Sequence, residues 1–259
     1  MGVVTIVFVV MNTTPTFSRK SYRQLRRSVS PVGRLLLDSL FFFRRISWWS
    51  VNRGRRLAKR GFDLVAATIV LLMNAPLMVF VSLLIRRDGG PVLFRQTRVG
   101  LHGEEFQMWK FRSMCVDAED RLAALLEQNE KDGGVTFKMA NDPRITPIGR
   151  FIRRTSIDEL PQLFNVLLGD MSIVGPRPPV PREVSLYGVD DRRRFLAKPG
   201  LTCLWQIGER DGRLFEVSDR NTIDFGEQVQ LDVDYIERQN LWQDIRIVLK
   251  TPPAMLLGK

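Results

Sequence analysis

A chain of 259 residues with 44% hydrophobic content has material for one sizeable core, which separates it from disordered proteins. Its formal charge of +11 would suit a nucleic-acid binder, yet thirteen Lys or Arg against one acid, Asp38, fall between Met1 and Arg60, leaving the remainder close to neutral. Two distant cysteines, Cys115 and Cys203, and one histidine, His102, exclude a zinc framework and multi-histidine metal sites and argue against a Ser-His-Asp triad.

Met1 to Val10 is apolar but lacks a basic leader and a cleavage site, so it is a poor signal peptide. From Phe17 to Arg60 the chain is rich in Arg and Ser, with Leu35 to Leu37, Phe41 to Phe43 and Trp48-Trp49 interleaved. That mixture suits a membrane surface, where guanidinium groups meet anionic headgroups and aromatic rings sit at the interface. An organellar transit peptide has similar composition, and nucleic-acid binding ranks third because no reading module follows.

Leu64 to Ile85 contains 22 residues without a charge. As one helix they would reach ~33 Å, enough for a ~30 Å hydrocarbon core. Arg and Lys flank both ends, from Arg53 to Arg60 and from Arg86 to Arg98, whereas a simple crossing places the basic excess on one side. Pro76, after Asn74-Ala75, also removes a backbone donor near the middle. Either arm spans only ~15 to 18 Å, so a helix-break-helix that dips in and returns satisfies both observations. Asn74 is placed to satisfy freed backbone groups. A kinked spanning helix stays open, and a buried core helix is the third option.

Pro91 to Gln96 and Phe106 to Arg112 read as a β-hairpin around the turn Gly100-Leu-His-Gly103. Ala118 to Gln128 predicts an exposed helix, and Ile148 to Arg154 and Leu160 to Leu168 carry apolar residues at helical spacing. Arg150, Arg153 and Arg154 form a basic edge suited either to headgroups or to solvent. Proline and glycine then mark rigid loops at Gly175 to Pro179 and Pro199-Gly200, and helical periodicity resumes over Leu231 to Ile247.

The stretch from Arg154 to Asn165 carries the chemistry-bearing residues. Ser156-x-x-Glu159 has the capping-box spacing, and Asp158 could itself cap a helix with Pro161 in its first turn. Against that structural reading, a carboxylate at a helix start feels the positive end of the dipole, which favours the ionised, nucleophilic form. Lys110, Arg112, Arg144, Arg153, Arg154 and Arg177 supply many cations, and Arg177 sits between two prolines on a stiff loop suited to phosphate. The chemistry permitted is phosphoryl transfer through an aspartyl phosphate, with Mg2+ shared between a carboxylate and substrate phosphates.

Asp158-Glu-Leu-Pro-Gln-Leu, Gly175-Pro-Arg-Pro178, Phe94-Arg-Gln-x-Arg-x-Gly100 and Lys110-Phe-Arg-Ser-Met114 together resemble the bacterial sugar transferase family, the monotopic phosphoglycosyl transferases. Lys59-Arg-x-x-Asp63, Asn141-Asp-Pro-Arg-Ile-Thr146 and Lys198-Pro-Gly-Leu-Thr-Cys-Leu-Trp-Gln206 fit too, so the resemblance covers about residues 59 to 259. It implies Asp158 as the nucleophile that takes the phospho-sugar and expels UMP, and Glu159 as the magnesium ligand. Substrate or phosphate contacts are expected at Arg95, Lys110, Arg112, Asp142, Arg144 and Arg177.

A UDP-sugar, undecaprenyl phosphate and membrane lipid are the implied partners, with no nucleic acid; oligomeric state is left open, a homo-oligomer included. The expected place is the bacterial inner membrane, catalytic domain on the cytoplasmic face, at the start of exopolysaccharide or O-antigen assembly. The expected fold is α+β, mainly helical, with a re-entrant membrane helix over 64–85 broken at Ala75-Pro76, a small β-hairpin and interfacial amphipathic helices. Residues 1–58 form a basic extension, partly disordered or on the membrane surface, and 59–259 the catalytic domain. The membrane helices that precede the catalytic part in longer members are not expected in 58 residues, and Gly208 to Val217 looks inserted. A catalytically silent membrane scaffold and a tethered nucleic-acid binder are the rival readings.

Overall fold

A computed structural model describes residues 26–27, 30–87, 89–118, 120–121, 142–210, 213–214 and 223–257. The apolar start of the chain, most of the helix expected from Ala118 and residues 215–222 lie outside the described residues. The chain divides into two compact units, Met1–Ala58 and Lys59–Lys259. In the first, helix α1 (Pro31–Arg86) starts at a proline, where the missing N–H costs nothing, and the Ser30 hydroxyl accepts from the Gly33 amide at 3.2 Å. Arg26 and Asp38 form an ion pair at 3.1 Å.

In the second unit α1 continues to Arg86. The helix runs through Pro76, where the sequence leads one to expect a break; a proline bends a helix without ending it, and the Asn74 side-chain amide donates to the Val70 carbonyl at 2.8 Å. Asp63, Ala67, Val81 and Ile85 are buried, a helical repeat that turns one stripe toward the rest of the unit. Val65, Ile69, Leu72, Met73, Val79, Phe80 and Leu83 are exposed.

The hairpin forms where the sequence places it, with its first strand shifted from 91–96 to 93–99. Strands β1 (Leu93–Val99) and β2 (Glu105–Phe111) pair antiparallel, Leu93 opposite Phe111 and Val99 opposite Glu105. The turn between them uses left-handed His102 and Gly103. Helix α2 (Pro147–Arg154) is capped by the Thr146 hydroxyl, which accepts from the Gly149 amide at 2.9 Å. After a single turn at Ile157–Glu159 comes α3 (Gln162–Leu168), ended by left-handed Gly169. Arg60 donates to the Val166 and Leu167 carbonyls at 2.6 and 2.8 Å, and Lys198 to that of Gly169 at 2.6 Å, so cations sit where the last carbonyls of α3 need donors.

Strands β3 (Ser172–Val174) and β4 (Gly200–Thr202) pair in parallel, and α4 (Pro181–Val184) lies between them in the chain. The backbones of Gly175 and Gly200 meet so closely that a Cβ on Gly200 would stand 2.1 Å from the Gly175 amide nitrogen. Only glycine fits this crossing, which holds the loop bearing Arg177. Part of the apparent insertion is a two-residue ladder, β5 (Glu209–Arg210) with β6 (Arg213–Leu214). The helical run expected over Leu231 to Ile247 is two helices, α5 (Phe225–Arg238) and α6 (Leu241–Leu257). Asn240 divides them, its side-chain oxygen accepting from the Gln243 amide at 2.9 Å.

Among the described residues three apolar clusters hold the unit together, the smallest formed by Val99, Tyr187 and Phe195. Ala67 joins Met108, Leu163, Val166, Ile173, Tyr235 and Ile247 in one, while Val81 and Ile85 join Phe111 and Ile152 in another. On the face of α3 that meets β2 stands Asn165, fully buried. Its oxygen accepts from the Trp109 amide at 3.0 Å, and its nitrogen donates to the Gln107 carbonyl at 2.7 Å and to Asp170 at 3.1 Å. The side chain thus acts as a piece of a third strand along the outer edge of β2. Asn165→Ala orphans two backbone groups at about 1–3 kcal/mol each; a thermal melt in detergent should fall by several degrees, whereas Phe164→Ala, at an exposed neighbour, should change it little.

Candidate active site

The capping roles open to the carboxylates in the sequence are not taken up. Ser156 is left-handed (φ 56) and makes no side-chain capping bond, and α3 begins after Pro161 with no side-chain cap. Glu159 instead accepts from Lys110 Nζ at 3.1 Å. Asp158 is buried in the turn that precedes α3.

Beside this turn lies an open hollow walled by Arg98, Met108, Lys110, Glu159, Gln162, Arg177, Pro178, Gly200, Leu201 and Gln206. Each cation arrives from a different place. Lys110 projects from β2, whose position on α3 is set by Asn165. Arg177 rides on the loop pinned by the glycine crossing, and Arg98 on β1 donates to the Pro178 carbonyl of that same loop at 2.9 Å. Burial first, and then repulsion from Arg177, push the Arg98 guanidinium down to about 10. Three cations against one carboxylate give the hollow a net positive charge, which suits an anion with more than one charge such as a diphosphate.

The two adjacent carboxyls are driven apart. Burial, followed by the charge of Glu159, pushes Asp158 up to about 6, while Lys110 and Arg153 work in the opposite sense. The expected net pull toward the ionised form is therefore corrected: desolvation outweighs the cations at Asp158. For Glu159, burial also acts to raise the carboxyl, but Lys110 and then Arg177 overcome it and leave it below its ordinary value. At neutral pH one carboxylate is firmly ionised and its neighbour is ionised but close to its proton.

Of the residues singled out from the sequence, Glu159, Lys110 and Arg177 meet on the wall, and Asp158 stands next to Glu159 without lining it. Arg112 lies elsewhere, donating to the carbonyls of Pro91 at 2.6 Å and Ile85 at 3.3 Å, where it ties β2 to the end of α1. Asp142 and Arg144 are buried against each other at 2.6 Å. The Arg95 guanidinium lies over the Trp109 ring at 5.0 Å. Sequence reading overlooked Arg98, Gln162 and Gln206 as wall residues. The signal for Arg98 was present, since it precedes buried Val99 at the end of a strand.

The bacterial sugar transferase pattern matches residues 54–258. Galactosyl transferase CpsE of Streptococcus agalactiae is 49% identical over 202 residues, 78% of this chain and 43% of its own. Undecaprenyl-phosphate galactose phosphotransferase of Salmonella typhimurium is 45% identical over 212 residues, 79% of this chain and 42% of its own. Exopolysaccharide production protein ExoY of Rhizobium meliloti is 38% identical over 207 residues, 78% of this chain and 87% of its own. The chain thus spans less than half the length of the first two relatives.

A raised carboxyl costs stability wherever it is ionised. For Asp158 the cost is absent below the unfolded value of 3.8 and complete above about 6, and the difference corresponds to about 3 kcal/mol at most. Asp158→Asn should therefore raise the melting temperature at pH 7.5, and the gain should shrink toward pH 4 in parallel thermal scans.

Proposed function

The chain belongs to the bacterial sugar transferase family, and from that premise we propose that it transfers a hexose-1-phosphate from a UDP-hexose to undecaprenyl phosphate, releasing UMP. The observation that carries this reading is the hollow in which Arg98, Lys110 and Arg177 surround Glu159, with the poised Asp158 carboxyl beside it. In the first step a carboxylate oxygen of Asp158 attacks the β-phosphorus of the UDP-hexose, and the bond from that phosphorus to UMP breaks. The three cations hold the diphosphate and stabilise the charge that gathers on the transferring group and on departing UMP. In the second step a phosphate oxygen of the polyprenyl carrier attacks the same phosphorus. The acyl-phosphate bond breaks, Asp158 is restored, and the carrier leaves with a diphosphate-linked hexose.

Among the described residues no three metal-binding side chains come together, so a cage built from protein alone does not fit. Glu159 next to a bound diphosphate does fit magnesium, which typically takes one or two carboxylates and completes its shell with phosphate oxygens and water. Bound there, the ion would neutralise diphosphate charge.

The apolar segment of α1 supports a membrane placement. Arg53–Arg86 is long and apolar enough to cross a bilayer. Yet Asp63 and Ala67 near one end, and Val81 and Ile85 near the other, are all buried against the same unit. A polar body confined to one side of a bilayer cannot fasten both ends of a spanning helix, which favours a segment that enters and returns to the same face. We place that face toward the cytoplasm, where the nucleotide sugar is found and the first step of exopolysaccharide or O-antigen assembly would take place.

In lipid particles containing undecaprenyl phosphate and Mg2+, a panel of UDP-hexoses should yield UMP from at least one donor. Intact-protein mass spectrometry without the acceptor should show a hexose-phosphate adduct. Asp158→Asn should lose the adduct and lower turnover by about three orders of magnitude or more, and chelation of Mg2+ should stop turnover reversibly; normal UMP release from Asp158→Asn would refute the nucleophile. Because only ionised Asp158 attacks, the rate should fall about tenfold per pH unit below 6 and level off above it. Lys110→Met, which removes the foremost cation holding that carboxyl down, should shift this limb toward higher pH in the same assay.

A further inference from the structure

Arg177 reaches the hollow from an arm that leaves β3 at Val174, three residues earlier, so the placement of its guanidinium depends on what holds the carbonyls of that arm. Further along, the Gly200 amide donates to the Pro176 carbonyl and the Val99 amide to that of Pro179, both at 2.9 Å. At the root the donors are side chains: Lys59 Nζ lies 3.1 Å and the Tyr235 hydroxyl 3.0 Å from the Val174 carbonyl. Tyr235 has a single proton to give, and Asp244 Oδ1, at 2.6 Å, is both nearer and charged. Gln239 donates to the same hydroxyl oxygen at 3.0 Å, which occupies a lone pair and leaves the proton for Asp244. The Val174 carbonyl therefore relies on Lys59.

We propose that Lys59 is a positioning residue for Arg177, holding the carbonyl from which its arm departs, and that Asp244 steers it there. The inference rests on the transferase reading above, in which Arg177 grips the diphosphate. Asp244 is fully buried and meets Lys59 Nζ at 2.8 Å. Asp63, the other acid beside Lys59, lies at 3.8 Å, and its Oδ1 already accepts from the Ser172 hydroxyl and the Ile173 amide at 2.9 and 3.1 Å. Asp244 thus fixes the ammonium at the Val174 carbonyl and withholds the Tyr235 proton from the same oxygen. A buried carbonyl that loses its donor shifts toward another, and the contact of Gly175 with Gly200 makes a pivot that carries a shift of Val174 to Arg177 on its far side.

The test uses the full chain in lipid particles with Mg2+, the UDP-hexose that gives the fastest UMP release as substrate, and UDP as the binding probe. Lys59→Met withdraws the donor while Asp244, still charged, keeps the Tyr235 proton, so kcat/KM and UDP affinity should each fall about tenfold or more. In an Arg177→Ala background the same change should alter neither by more than about twofold, because Arg177 is the route by which Lys59 acts. Lys59→Met with Asp244→Ala frees the Tyr235 proton for the Val174 carbonyl and removes both partners of a buried ion pair, so both quantities should recover to within about threefold of the wild type. Adding Tyr235→Phe to that pair leaves the carbonyl without a side-chain donor and should bring the loss back, a comparison that stands even where Lys59→Met fails to fold. Equal losses from Lys59→Met with and without Arg177, or no difference between the double and triple variants, would overturn the inference while leaving the transferase reading intact. Failure of the wild-type chain to release UMP from any donor would instead overturn the reading on which it rests.

Discussion

The site depends on one buried amide. Asn165 spends its oxygen on the Trp109 amide and its nitrogen on the Gln107 carbonyl and Asp170, and thereby fixes β2 against α3. Lys110 follows Trp109 directly, and Glu159 stands two turns before Asn165, so their 3.1 Å ion pair follows from this clamp. A slip of β2 by one residue would turn Lys110 to the opposite face of the strand. Hydrogen bonding along one strand edge thus becomes control over which carboxyl beside the hollow has a cation at hand.

That control matters because burial alone would treat the two acids alike. Asp158 and Glu159 are neighbours in the chain and both are desolvated, yet one is raised and the other lowered. The difference lies in the distribution of cations: Glu159 has Lys110 in direct contact and faces Arg177, whereas Asp158 feels Lys110 and Arg153 without a hydrogen bond to either. An acid close to its proton is a better nucleophile, when ionised, than one held far below it, and on the proposed reading the firmly ionised partner is the one left to hold magnesium.

The hairpin, α2 and α3 were legible in the sequence because alternation and helical spacing are local properties. The continuity of α1 was not. Pro76 announces a break by its chemistry, but the residues around it continue the helix on both sides. Nor could the sequence divide the cations between scaffold and site. Arg112, Arg144 and Lys110 look equivalent as residues, yet Arg112 serves carbonyls, Arg144 serves Asp142, and Lys110 reaches Glu159, pairings decided by contacts distant in the chain. Gln162 stood inside the most telling motif and passed unnoticed, because a neutral side chain shows its place on the wall only once the fold is assembled.

The meeting of Gly175 with Gly200 has a bearing on how such a protein can diversify. Two chains in backbone contact admit not even a methyl group, so the arm that presents Arg177 is closed to innovation at its base. Met108, Leu201 and the two glutamines carry no such restriction. Descendants of this sequence can therefore retune what the cavity accepts while inheriting the placement of Arg177 unchanged.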